Sequence, residues 1–164
     1  MKKTSLNIAL VIAICIGEHP PQTISKAAKE SAKILEGMLN GSTLILCCQN
    51  RQISYQAELI ASEIGTAEIR PDKIYNSNHK FEAKTICQEI SKAIDSAADM
   101  GFSNIVFVVD EHNKNNFSDI ISKVIGCNNV WHVKAGQIML FETDVEQISV
   151  IYDNQVKSES FHRK

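Results

Sequence analysis

The chain has 164 residues, 44% of them hydrophobic, enough to bury a real core at close to the usual size of one domain. Seventeen Lys and Arg against nineteen Asp and Glu leave a formal net charge of −2, which excludes the basic footprint of a nucleic-acid or anionic-membrane binder. Charges are interspersed, as in Lys26, Lys29, Glu30, Lys33 and Glu36, the ordinary solvated face of a helix, so a protein or small-molecule partner has to be read from sites.

In chain order the apolar, β-branched run Leu6 to Ile14 predicts a central strand buried on both faces. Ser25 to Leu39 has apolar residues near three-to-four spacing and is stopped by Asn40-Gly41, which predicts a helix. Thr43 to Cys47 follows as a strand, and Ile53 to Ile64 as a helix with Ala57, Ile60, Ala61 and Ile64 on one stripe and Gly65 as its stop. Ala67 to Arg70 reads as a short strand closed by Pro71, and Phe81 to Met100 as a long helix on which Ile86, Ile90, Ile94 and Ala97 keep the period. Asn104 to Val109 is a strand, Phe117 to Ile125 a helix, and Gln137 to Phe141 with Ile148 to Tyr152 a closing pair of strands. Alternation of strands and helices predicts a three-layer α/β/α sandwich with a mixed, mostly parallel sheet. Residues 1–157 are expected to form one domain, with a polar, frayed tail over 158–164.

The basic start Met1-Lys2-Lys3 before an apolar run has the order of a secretory signal, but no small-x-small cleavage site follows and the run is too short to cross a bilayer. Five cysteines, Cys15, Cys47, Cys48, Cys87 and Cys127, make no Cys-x-x-Cys pair. An odd number among apolar residues suits reduced, buried thiols and a cytoplasmic protein. Cys15, His19, Cys47, Cys48, Glu111 and His112 are residue types that zinc takes, yet their spacing matches no zinc motif, and adjacent Cys47 and Cys48 point to opposite faces of a strand. No metal and no cofactor is expected.

Two stretches carry a family resemblance: the first strand runs into Cys15-Ile16-Gly17-Glu18, and the second into Cys48-Gln49-Asn50-Arg51-Gln52-Ile53-Ser54-Tyr55-Gln56-Ala57-Glu58. Together they resemble the histidine phosphatase (phosphoglycerate mutase-like) superfamily and, within it, the small phosphohistidine phosphatases. There the first strand ends in Arg-His-Gly-Glu, and the second helix carries Arg-Ala-x-Gln-Thr-Ala-Glu. Later landmarks are similar and in the same order: Asp72-Lys73-Ile74-Tyr75-Asn76, then Ile105 to Val109 with Asp110-Glu111-His112-Asn113 and Phe117-Ser118-Asp119-Ile120, then Lys134 to Glu142.

What the resemblance implies is a phosphatase fold whose chemistry has been removed. In active members two arginines and two histidines surround a phosphate, and one imidazole attacks it. In strict register this chain has Cys15, Ile16, Gln52 and Glu111 at those positions, while Gly17 and Glu18 match. Isoleucine has no lone pair with which to accept a phosphoryl group. Cys15 is read as a structural thiol, desolvated between Ile14 and Ile16 and without the Cys-x5-Arg loop of cysteine phosphatases, since Pro21 stands six residues on. His19 before Pro20-Pro21 is read as the exposed start of a loop. Two neighbours keep an alternative open: Arg51 lies one residue before the arginine position and His112 one after the second histidine position. The leading expectation is a catalytically inactive binding or interaction module. The alternative is a residual phosphatase or phosphate-ester binder using Arg51 and His112 in shifted register, and a third reading is a purely structural subunit.

Overall fold

The apolar run at the start of the chain forms β1 (Asn7–Ala13), the middle strand of a seven-stranded sheet, in a computed structural model that describes residues 6–14, 21–65, 67–76, 82–110, 117–127, 133–152 and 155–160. For Pro21, Gln52 and Tyr152 only the backbone is described. The chain continues through α1 (Pro21–Met38), β2 (Thr43–Cys47), α2 (Arg51–Ile64), β3 (Ala67–Pro71), a 3₁₀ turn at Lys73–Tyr75, α3 (Ala83–Asp99), β4 (Asn104–Asp110), α4 (Phe117–Ile125), β5 (Ile138–Glu142), β6 (Gln147–Tyr152) and β7 (Gln155–Ser160).

The spatial order is β3-β2-β4-β1-β5-β6-β7. β3, β2, β4 and β1 pair in parallel, and β5, β6 and β7 continue from β1 as an antiparallel ribbon. From β1 the chain steps outward to β2 and β3, then reverses to β4. Right-handed crossovers taken in opposite directions put their helices on opposite faces; accordingly α1 packs on α2, and α3 packs on α4. Every residue of β2 and β4 is buried, as a strand covered on both faces requires. The expected stripe of α3, Ile86, Ile90, Ile94 and Ala97, is the face it buries.

Most boundaries move by a residue or two from expectation, and three departures have a physical reason. α1 begins at Pro21 rather than Ser25, because proline at the first helical position lacks only an N–H that no helix uses, and its φ is preset. α2 begins at Arg51 rather than Ile53, its first turn closed by Ser54 N–H donating to the Asn50 carbonyl at 2.9 Å. The polar stretch from Ser158 was expected to fray, but Ser158 to Ser160 belong to β7 and pair with Ser149, Ile148 and Gln147 of β6. Hydrophobic patterning is blind to an edge strand that buries neither face.

At the amino edge of the sheet a polar layer is satisfied internally. Asn7, Asn104 and Thr43 are register partners across β1, β4 and β2. Asn7 Nδ2 donates to Asn104 Oδ1 at 3.1 Å, and Asn104 Nδ2 donates to the Asn40 carbonyl at 3.0 Å and to Thr43 Oγ1 at 3.2 Å. Buried amides hold a unique register only when paired in this way. The turn into β2 needs Gly41, whose φ of +90° few side chains tolerate; a Cβ there would stand 2.7 Å from Ser103 Oγ.

Candidate functional site

The carboxyl ends of β1, β2 and β4 open on one edge of the sheet, since the three strands run parallel as neighbours. β4 lies between strands whose following helices cover one face, while its own, α4, packs with α3 on the other. Adjacent parallel strands that send their helices to opposite faces leave a crevice at their carboxyl ends, the switch point where α/β proteins bind ligands.

Register brings the ends of the strands that precede the sequence-derived candidates to this point. Ala13 pairs with Asp110, so the strands deliver the chain to Cys15-Ile16-Gly17-Glu18 and to Glu111-His112 from adjacent positions on one edge. Those six residues, His19, and the Gln52 side chain lie outside the described residues. Arg51 is exposed as the first residue of α2. Because α2 already includes Arg51, Arg51 and Gln52 are successive helical residues about 100° apart around the axis.

The described part of the mouth is tied together by bonds between loops. Gln49 N–H donates to Asn76 Oδ1 at 2.7 Å, Cys48 Sγ donates to the Tyr75 carbonyl at 2.8 Å, and Asp72 N–H donates to the Cys47 carbonyl at 2.9 Å. Asp72 also caps the 3₁₀ turn, its carboxylate accepting from Ile74 N–H at 3.1 Å. Tyr75 is buried at the base, its ring 5.9 Å from Phe107 and 6.0 Å from Phe117, both at tilted angles that suit aromatic quadrupoles. The turn leading into Arg51 is thereby anchored to the segment that follows β3.

Gln56 ties the same helix to β1. Its Nε2 donates to the Ile14 carbonyl at 2.7 Å, and the side chain is 3% exposed. Sequence reasoning passed over this residue, although a signal existed: Ile53, Gln56, Ala57 and Ile60 form the buried stripe of α2, and a polar side chain in an apolar stripe needs a partner. Asn76 carried no such signal, because its partner is a backbone N–H from another loop.

The thiols of Cys47 and Cys48 are not nucleophiles at neutral pH. Burial pushes Cys47 up to about 11, with the Glu58 charge adding to it. Burial likewise pushes Cys48 up to about 12; the Asp110 backbone N–H opposes the rise, and the Asp110 carboxylate adds to it. A protonated, desolvated thiol is inert. Burial, reinforced by Asp72, also keeps the Tyr75 phenol protonated. Cys47, Cys48 and Cys127 are buried and Cys87 half-buried, none of the four in a disulfide. Among the described residues no group of three His, Cys, Asp or Glu side chains is placed to hold a metal ion. No described helix is long and apolar enough to cross a membrane.

No protein-family model and no curated protein matches the sequence. Solved structures do match the fold. The protein histidine phosphatase SixA complexed with tungstate superposes with a TM-score of 0.60 over 96% of this chain and 97% of that one, at 6% identity. A mycobacterial glucosyl-3-phosphoglycerate phosphatase in complex with VO3 gives 0.59 over 94% and 95%, at 7% identity. The putative phosphohistidine phosphatase SixA from Agrobacterium tumefaciens gives 0.57 over 87% and 93%, at 9% identity. The chain therefore has the histidine phosphatase fold. A fold is a scaffold on which the site decides the chemistry.

Proposed function

We propose that this protein is a cytoplasmic, catalytically inactive relative of the histidine phosphatases that works as a binding or interaction module. The observation that carries this reading is the pairing of Ala13 with Asp110. It supports putting the segment Cys15-Ile16-Gly17-Glu18 at the switch point in the family's register, with Ile16 where the phosphoryl acceptor belongs. Loss of the nucleophile removes the covalent route, and Cys15, Gln52 and Glu111 in place of cationic groups remove the electrostatic stabilisation of a phosphate dianion. The inert thiols of Cys47 and Cys48 supply no substitute nucleophile.

One observation favours a second reading, a residual phosphatase or phosphate-ester binder using Arg51 and His112 in shifted register: α2 opens at Arg51, where a guanidinium and the N–H groups of a helix start both attract anions. Calorimetric titration with inorganic phosphate and a phosphate monoester, together with phosphate release from phosphohistidine and from an aryl phosphate, separates the two. The binding-module reading expects no release above the blank. Turnover that disappears on His112→Ala would overturn it in favour of the shifted-register enzyme.

A further inference from the structure

All six residues of β7, the last strand of the sheet, are exposed, so neither of its faces is covered by a helix and no described strand pairs with its outer edge. Tyr152 and Gln155 are register partners with two residues between them, the closing pair of a short antiparallel connection, which exchanges both backbone hydrogen bonds. Hydrogen-bonded pairing to β6 then alternates along Gln155, Lys157 and Glu159, and the N–H and C=O groups of Val156, Ser158 and Ser160 turn to the outer edge. The side chains agree with that phase: Ser149 Oγ and Ser158 Oγ are 2.9 Å apart, the close approach of a pair without ladder bonds.

We propose that this edge pairs with the same edge of a second copy of the chain, antiparallel, with Ser158 on the two-fold axis, joining two seven-stranded sheets into one. Three features select this occupant and register. The outward backbone groups of Val156, Ser158 and Ser160 meet those of Ser160, Ser158 and Val156, each donor opposite an acceptor. Lys157 then stands across from Glu159 of the other copy, twice by symmetry, in the closer type of cross-strand pair. Sliding the strands to centre on Lys157 or on Glu159 instead sets like charges face to face, which is unfavourable. A lysine alone on an edge blocks pairing; a lysine with a glutamate two residues on makes the edge complementary to itself. Six residues a side are fewer than the roughly 20–30 of a standard interface, so association is weak and concentration-dependent.

Sedimentation equilibrium of the full chain over a concentration series reaching the millimolar range tests this. The wild type is expected to show a monomer–dimer equilibrium that weakens with added salt. Lys157→Glu alone and Glu159→Lys alone should each weaken dimerisation at least about tenfold by replacing two attractive pairs with two repulsive ones. An equimolar mixture of the two variants should restore it, because every facing pair is again of opposite sign. Ser158→Pro, which removes the central N–H, should abolish it, while circular dichroism shows each variant folded. A wild type that stays monomeric throughout would overturn the proposal and leave the charges of β7 as protection of a bare edge. Single variants that dimerise as well as the wild type would also overturn it.

Discussion

Nε2 of Gln56 lies 2.7 Å from the carbonyl oxygen of Ile14, so a buried side chain in the second turn of α2 holds the chain where it leaves β1 for Cys15. The bond couples two of the three strand-end segments that define the mouth, and it does so with a neutral group.

Replacing Gln56 tests that coupling. Gln56→Leu leaves the Ile14 carbonyl buried without its donor, which costs on the order of 1–3 kcal/mol and should appear as a lower urea midpoint with an unchanged slope. Gln56→Glu should be worse at neutral pH, where a carboxylate faces a carbonyl oxygen, and should recover on acidification as the side chain regains a proton to donate. Stability of Gln56→Leu equal to the wild type would mean that Ile14 finds another donor in solution.

The thiols make a second prediction. Cys47 and Cys48 are raised in the fold to about 11 and about 12, from an ordinary value of 9.0 in the unfolded chain. A group whose pKa is raised on folding contributes stability that is complete below the unfolded value and is lost as pH climbs through the folded one. Urea midpoints should therefore hold up to 9.0 and fall above it. The decline should be shallower in a Cys47→Ala/Cys48→Ala variant. An equally steep decline there would assign the effect to other groups, Tyr75 first.

Gly41→Ala combines two penalties, a left-handed φ of +90° and a Cβ 2.7 Å from Ser103 Oγ. The expected loss is about 1–3 kcal/mol by thermal or chemical unfolding. Adding Ser103→Gly should return only the steric part, so the double-mutant cycle should show coupling between the two sites. Strict additivity would mean that the Ser103 side chain swings clear.

Introducing the groups that active histidine phosphatases carry tests the proposed loss of chemistry against a remodelled cleft. Cys15→Arg with Ile16→His should not recreate an enzyme, because Gln52 and Glu111 would still leave the mouth short of cations. At an effective dielectric near 20, a carboxylate about 4 Å from a phosphate dianion costs on the order of several kcal/mol. Adding Gln52→Arg and Glu111→His should produce phosphate binding detectable by calorimetry. A folded quadruple variant without phosphate affinity would argue for a remodelled mouth and a structural role.

Much of the fold was legible because it rests on patterns that repeat along the chain. The stripe of Ile86, Ile90, Ile94 and Ala97 announces α3, and the unbroken apolar run of Ile105 to Val109 announces a strand covered on both faces. The residue types Ile16 and Glu111, on which the proposed loss of chemistry rests, are likewise read from the sequence alone. Three things were decided only by tertiary structure. β7 carries no hydrophobic period, and its place follows from backbone pairing with β6. Gln56 and Asn76 matter through single bonds to Ile14 and Gln49, partners 42 and 27 residues away, and no local spacing encodes such a meeting. The shared edge for the carboxyl ends of β1, β4 and β2 comes from strand order, in which β4 inserts between β1 and β2. The amino-acid sequence by itself determined most of the helices and strands and which residue types follow the strand ends. Strand order and long-range hydrogen bonds determined which residues meet, because burial is a property of single positions whereas a site is a property of pairs.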